Sequence, residues 1–168
     1  VLCRLALAGQ QIDPLSFSVI RVCSGAVVLL MLWLLSQKRQ AIQWNLYSAL
    51  ALAIYIVAFS SAYIQIDAGV GALLLFGTVQ LAMVFYAVFH GEKLNLKRGS
   101  GLIIALMGIV ILLLPGASAP SLSYAIIMMI SGLAWAVYSI LGKTMLSPLA
   151  SSLGNFLLAV PLVILGYF

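Results

Sequence analysis

The sequence predicts an all-α membrane protein, a polytopic bundle of transmembrane helices, and three observations carry that prediction. Hydrophobic residues make up 65% of the 168 residues, charged residues only 7%. Mean hydropathy is +1.24. The uncharged stretches match a membrane in length, since an apolar core of about 30 Å needs about 20 helical residues at about 1.5 Å each. A soluble protein carries roughly 25% charged residues. Eight cations and three acids cannot make a water-facing surface, so lipid is the solvent. A disordered chain and a disulfide scaffold are excluded on the same grounds. The pI near 9.5 does not point to nucleic acid, because cations scattered between apolar runs form no stripe along a phosphate backbone.

In chain order, a helix tail is expected at 1–11. Val1 rather than Met opens it and no charged segment precedes an apolar run. This reads as no signal peptide and as a portion of a longer protein. Cys3 and Cys23 sit in apolar surroundings without CxxC spacing and read as small core residues. Asp13-Pro14-Leu15 opens a span at 14–36: Asp13 can accept first-turn N–H groups, and Pro14 suits a position whose donor is spare. Uncharged runs give spans at 44–65 and 68–89. Gly99 to Gly142 is too long for one span, and Pro115 to Ser121 divides it into 96–114 and 121–141. Asn95 is the expected cap of the former, with Lys97 and Arg98 snorkelling to the headgroups. Ser147-Pro148-Leu149 repeats the opening device before a last span at 148–168.

The connections account for the net charge of +5. Lys38 and Arg39 occupy one loop, Lys93, Lys97 and Arg98 another, and Lys143 a third. The alternate connections at 12–13, 66–67 and 115–120 carry no cation. Cytoplasmic loops are enriched in Lys and Arg. The expected location is therefore the cytoplasmic (inner or plasma) membrane, multi-pass, with 1–11 and Phe168 ending outside.

Pro14-Leu15-Ser16-Phe17-Ser18 and Pro148-Leu149-Ala150-Ser151-Ser152 share P-L-x-x-S at the start of spans five apart. An odd number of spans reverses the sense of the second copy. Inverted repeats of this kind underlie many secondary transporters, whose substrate sites lie near the midplane. The expected architecture is one inverted five-helix repeat plus the start of a second: 1–115, its first helix truncated, and then 121–168.

The chain resembles the EamA-type, ten-span transporters of the drug/metabolite transporter superfamily, as a partial chain. The residues that carry the resemblance are Arg4, the Pro14…Arg21 helix start, Gly69 to Leu75, His90-Gly91-Glu92-Lys93-Leu94 followed by Gly101, and Gly108 to Leu114. Ala134 to Tyr138, Lys143 and Pro161 resemble the start of the second repeat. The resemblance implies ten spans with both ends cytoplasmic, in agreement with the charge-derived orientation. Members often carry a proline midway along the span occupied here by Phe76 to Gln80, where this chain has none.

Arg21 is the most informative side chain. It lies eight residues after Asp13, about 12 Å into its helix. A cation at that depth faces a bundle interior or a cavity. It is either a substrate anchor for an anionic or carbonyl group or a packing cation that snorkels. Tyr124, Ser131, Trp135 and Tyr138 share one helix face, and Ser48, Tyr55, Phe59 and Tyr63 make a similar stripe. The stripes read either as helix packing with interfacial tyrosines or as walls of an aromatic cavity. Gln80, near mid-span, reads as interhelical glue or substrate contact. Arg21, Gln80, Trp135, Tyr138 and Tyr55 are thus the candidate substrate-binding residues. Gly101, Ala105 and Gly108, and Gly132 with Ala136, are expected to allow close helix approach. Glu92 reads as a loop ion pair or helix-end contact, with a gate as the alternative.

No Asp or Glu lies mid-span, which weakens a proton-antiport mechanism. No catalytic or metal motif is present: no HExxH, GxSxG or P-loop, and one His at a span edge. The expected function is transport of a small organic solute (metabolite, amino acid or drug-like compound) by alternating access, without enzyme activity, cofactor or metal. An intramembrane lipid-modifying enzyme and a non-transporting scaffold or partner subunit are the alternatives. Expected partners are a small-molecule substrate, the lipid bilayer and, as an option, a second copy in a homodimer, with no nucleic acid.

Overall fold

The computed structural model describes residues 12–36, 40–92, 96–113 and 120–166. Regular structure among them is entirely helical: α1 (Pro14–Leu35), α2 (Leu46–Ala62), α3 (Ala68–Phe89), α4 (Leu96–Leu113), α5 (Leu122–Gly142) and α6 (Pro148–Leu165). These follow the expected spans to within a few residues. α1, α3, α5 and α6 are long and apolar enough to cross a membrane, whereas α2 has 17 residues and the apolar part of α4, Gly99–Gly108, is shorter. The molecule is a helical membrane protein. The expected tail at 1–11 with Cys3 and Arg4, the cations Lys38, Arg39 and Lys93, the Asn95 cap, the breaker at 115–119 and the side chains of Lys97 and Arg98 lie outside the described residues.

Local chemistry sets the helix ends. Asp13 is extended and accepts the Ser16 amide at 2.9 Å, with Pro14 following. Ser147 holds the Ala150 amide at 3.4 Å ahead of Pro148. The same cap thus opens α1 and α6, the two copies of P-L-x-x-S. Asn45 caps α2 by accepting the Ser48 amide at 3.1 Å. At the end of α3, Gly91 has φ of 85°. The Gly91 amide donates to Val88 O and the Glu92 amide to Ala87 O, each at 3.0 Å. This is the paired closure that a left-handed glycine permits after a helix. Part of the His90-Gly91-Glu92 pattern is therefore a helix stop.

α2 is the central rod, packed on α1, α5 and α6, while α3 lies on α5 and α4 packs chiefly on α3. Small residues explain the position of α2: Ser48, Ala49, Ala51, Ala53, Ser60 and Ala62 are all buried. In lipid, helices associate through close packing rather than hydrophobic exclusion, and small residues let main chains approach. Gly132 acts this way on α5, since a Cβ there would stand 2.9 Å from the Leu75 carbonyl oxygen. Gly154 on α6 is pressed against the Gln43 carbonyl. The glycines of α4 behave otherwise than expected: a Cβ at Gly101 or Gly108 would meet nothing within 4 Å. α4 turns this stripe away from α3, its main neighbour, and the close approach is not made among the described residues.

Contacts sort the connections to opposite ends of the bundle. The Lys143 ammonium stands 5.9 Å from the Tyr86 ring, beside the end of α3. Gly154 meets Gln43 near the start of α6, on the same end. At the other end Phe17, Tyr63, Ile66 and Tyr124 share one apolar cluster. The end of α3, the end of α5 with Lys143, and Gln43 ahead of α2 thus lie toward one end of the bundle.

Candidate solute cavity

Between α1, α2, α5 and α6 lies a cavity of about 650 Å³. Its walls are mostly apolar, from Val28, Leu29, Leu52, Ile56 and Phe156, with Arg21, Ser24, Tyr55, Trp135, Tyr138 and Ser152 as the polar and aromatic groups. Ligand pockets of small molecules have this size and this sparse polarity.

Each wall follows from helix geometry. Arg21 projects from α1 two turns beyond its cap. Its guanidinium carbon is 5.0 Å from the centroid of Phe59, 5.7 Å from that of Tyr55 and 6.0 Å from that of Phe17. The Nη2 group donates to the Tyr55 hydroxyl at 3.4 Å, and Nη1 is buried without a hydrogen-bond partner. The two aromatic stripes meet face to face. Ser131 donates to the Tyr55 carbonyl at 3.1 Å, and the Tyr55 and Trp135 rings lie 4.7 Å apart. Trp135 continues to Tyr138 at 5.4 Å, while Tyr55 continues to Phe59 at 5.8 Å and Phe59 stacks on Tyr63 at 4.5 Å. The stripes divide their labour. Tyr55, Trp135 and Tyr138 face the cavity, while Phe59, Tyr63 and Ser131 are buried in the packing between helices.

Four of the five expected residues, Arg21, Tyr55, Trp135 and Tyr138, therefore line one cavity. Gln80 stands apart, exposed on the α3 face that carries Leu73 and Phe76. Sequence reasoning missed Ser24, Ser152 and Phe156. A signal existed for two of them: Ser24 follows Arg21 by one turn and donates to its carbonyl at 3.1 Å, and Ser152 is the serine of the second P-L-x-x-S. Cys23 is a free, half-buried thiol packed among the apolar residues behind the cavity. Pro161 lies within α6, which continues through it, and α3 runs unbroken through Phe76 to Gln80. No three His, Cys, Asp or Glu side chains gather as metal ligands would among the described residues.

Apolar helices with a partly open, sparsely polar cavity between four of them define a polytopic membrane protein. The model of the EamA-like transporter family matches residues 1–114, and the chain belongs to that family. It is also 46% identical over 161 residues to an uncharacterized protein of Pseudomonas aeruginosa, an alignment covering 95% of this chain and 56% of that protein. The chain thus spans about half the length of this relative. No solved structure matches it.

Proposed function

We propose that the chain is the larger part of a carrier that moves a small organic solute across the cytoplasmic membrane by alternating access. The observation that carries this reading is the cavity itself: about 650 Å³ of partly open space between apolar helices, with aromatic rings, hydroxyls and one cation set in mostly apolar walls. The solute would sit among Arg21, Tyr55, Trp135 and Tyr138. Residues 1–115 form the first repeat and 121–168 begin the second, a division supported by the matching proline caps of α1 and α6 and by the packing of those helices on each other. Rocking of one repeat against the other would open the cavity to each side in turn. The cation-bearing end of the bundle faces the cytoplasm. The match to a family of transporters favours a carrier over an enzyme.

Flux of labelled solutes into proteoliposomes holding the intact protein tests this reading. Arg21→Ala and Trp135→Ala are each expected to lower the transport rate at least tenfold while leaving insertion intact. Unchanged kinetics in both variants would remove the cavity from the transport path.

A further inference from the structure

Arg21 is held in a setting that calls for a further partner. Its guanidinium lies among the rings of Phe17, Tyr55 and Phe59, whose faces attract a cation but offer no lone pair to an N–H. A guanidinium has five N–H donors in a rigid plane. One contact is visible, to the Tyr55 hydroxyl at 3.4 Å, and Nη1 is buried with no acceptor. The carboxylates among the described residues, Asp13, Asp67 and Glu92, are all exposed at helix ends. A cation at this depth with an unsatisfied donor is costly in a membrane, and an occupant carrying the opposite charge relieves that cost. Arg21 lines the cavity together with the hydroxyl-bearing Ser24, Tyr138 and Ser152.

We infer that the occupant of this cavity is a small organic monoanion: a carboxylate held by Arg21, on an apolar or aromatic body laid against Trp135, Tyr138 and Phe156. The inference rests on the transport reading and adds the class of solute. The planar fork of arginine matches the two oxygens of a carboxylate. One charged side chain in the lining balances one negative charge, which favours a monoanion over a doubly charged phosphate ester. The remaining walls are apolar and ring-bearing, so the body of the solute is apolar too. A cationic amphiphile, which aromatic walls alone would welcome, meets repulsion from Arg21.

Equilibrium binding to the intact protein in detergent, measured by titration calorimetry, tests this class directly. The probes are benzoate, phenylacetate and indole acetate, each paired with its primary amide, which keeps the shape and removes the charge. At least one acid is expected to bind saturably, with its amide weaker by roughly tenfold or more, the size of a lost charge-assisted hydrogen bond. Arg21→Gln should bring acid and amide to equal affinity, and Arg21→Lys should keep part of the preference. An amide that binds wild type as well as its acid overturns the inference, as does a panel in which no acid binds. The comparison of acid with amide needs only wild-type protein, so it stands even if Arg21→Gln fails to fold. Proteoliposome flux separates the two readings. Neutral or cationic solutes crossing where acids do not would sink the anion class and leave transport standing. Arg21-dependent binding of acids with no solute crossing would do the reverse.

Discussion

Replacing Gly132 by alanine sets two opposing effects against each other. Alanine is the better helix former by about 0.8–1.0 kcal/mol. At this position, however, a Cβ would stand 2.9 Å from both the Leu75 carbonyl oxygen and the Thr78 Cβ. Comfortable separation is about 3.5–4.0 Å, so α5 and α3 must part by roughly 0.6 Å or more at the crossing. Neither obstacle swings aside. One is main chain, and the other belongs to a β-branched side chain whose hydroxyl donates to Leu74 O at 2.7 Å. Forcing packed elements apart typically costs about 1–3 kcal/mol. The net expectation is a loss of up to about 2 kcal/mol. Gly142 ends the same helix with nothing within 4 Å of its Cβ position, so Gly142→Ala gains helix preference without a clash. Thermal unfolding of the two variants in one detergent isolates the clash. Gly132→Ala should melt several degrees below Gly142→Ala, at roughly 2–4 °C per kcal/mol for a chain of this size. Equal melting temperatures would refute the close α3–α5 crossing.

Gly154→Ala should cost more than Gly132→Ala, because its Cβ would overlap the Gln43 carbonyl and lie 3.1 Å from Ile42 Cγ2; a melt no lower than that of Gly132→Ala contradicts the contact. Ser131→Ala removes a hydrogen bond to a helical carbonyl that keeps its own main-chain donor. The loss should be small, about 0.6 kcal/mol, and one beyond about 2 kcal/mol would mean that the hydroxyl does more. The side chain and amide of Ser16 hold the Asp13 carboxyl below its ordinary 3.8. A depressed carboxylate contributes stability above its unfolded value and loses it as pH falls through the folded one. The melting advantage of wild type over Asp13→Asn should therefore be full at neutral pH and vanish well below 3.8; an advantage that persists in acid would assign it to shape rather than charge.

The ends of the helices were legible in the sequence because they are set locally. Asp13-Pro14 and Ser147-Pro148 are capping chemistry, and uncharged runs of membrane length have no other stable use. The aromatic stripes on α2 and α5 were legible as faces because rings and hydroxyls at helical spacing stand out from aliphatic surroundings. Their division between packing and cavity was not, since it depends on where α1 and α6 lie. Facing was illegible wherever that contrast fails. A helix that is apolar all round carries no mark of its inner side, so neither the outward position of Gln80 nor the open stripe of Gly101 and Gly108 could be read. Ser152 and Phe156 belong to α6, whose sequence marks its start clearly and its partners not at all.

The hydroxyls of the bundle are mostly self-sufficient. Ser60, Ser61, Thr78 and Ser139 each donate to the carbonyl one turn back on their own helix, so these bonds travel with the rod that holds them. Among the described residues, the serine bonds from Ser18 to Ile56 O at 3.4 Å and from Ser131 to Tyr55 O at 3.1 Å bridge rods instead, and both end on adjacent carbonyls of α2. Ser18 also keeps a bond of 2.7 Å to Pro14 O within α1. Sliding α5 along α2 therefore strands little polarity in oil, whereas sliding α1 also breaks the Arg21–Tyr55 hydroxyl bond of 3.4 Å. The middle rod works as a rail with two light serine catches side by side and a heavier one, Arg21, on the hydroxyl of Tyr55.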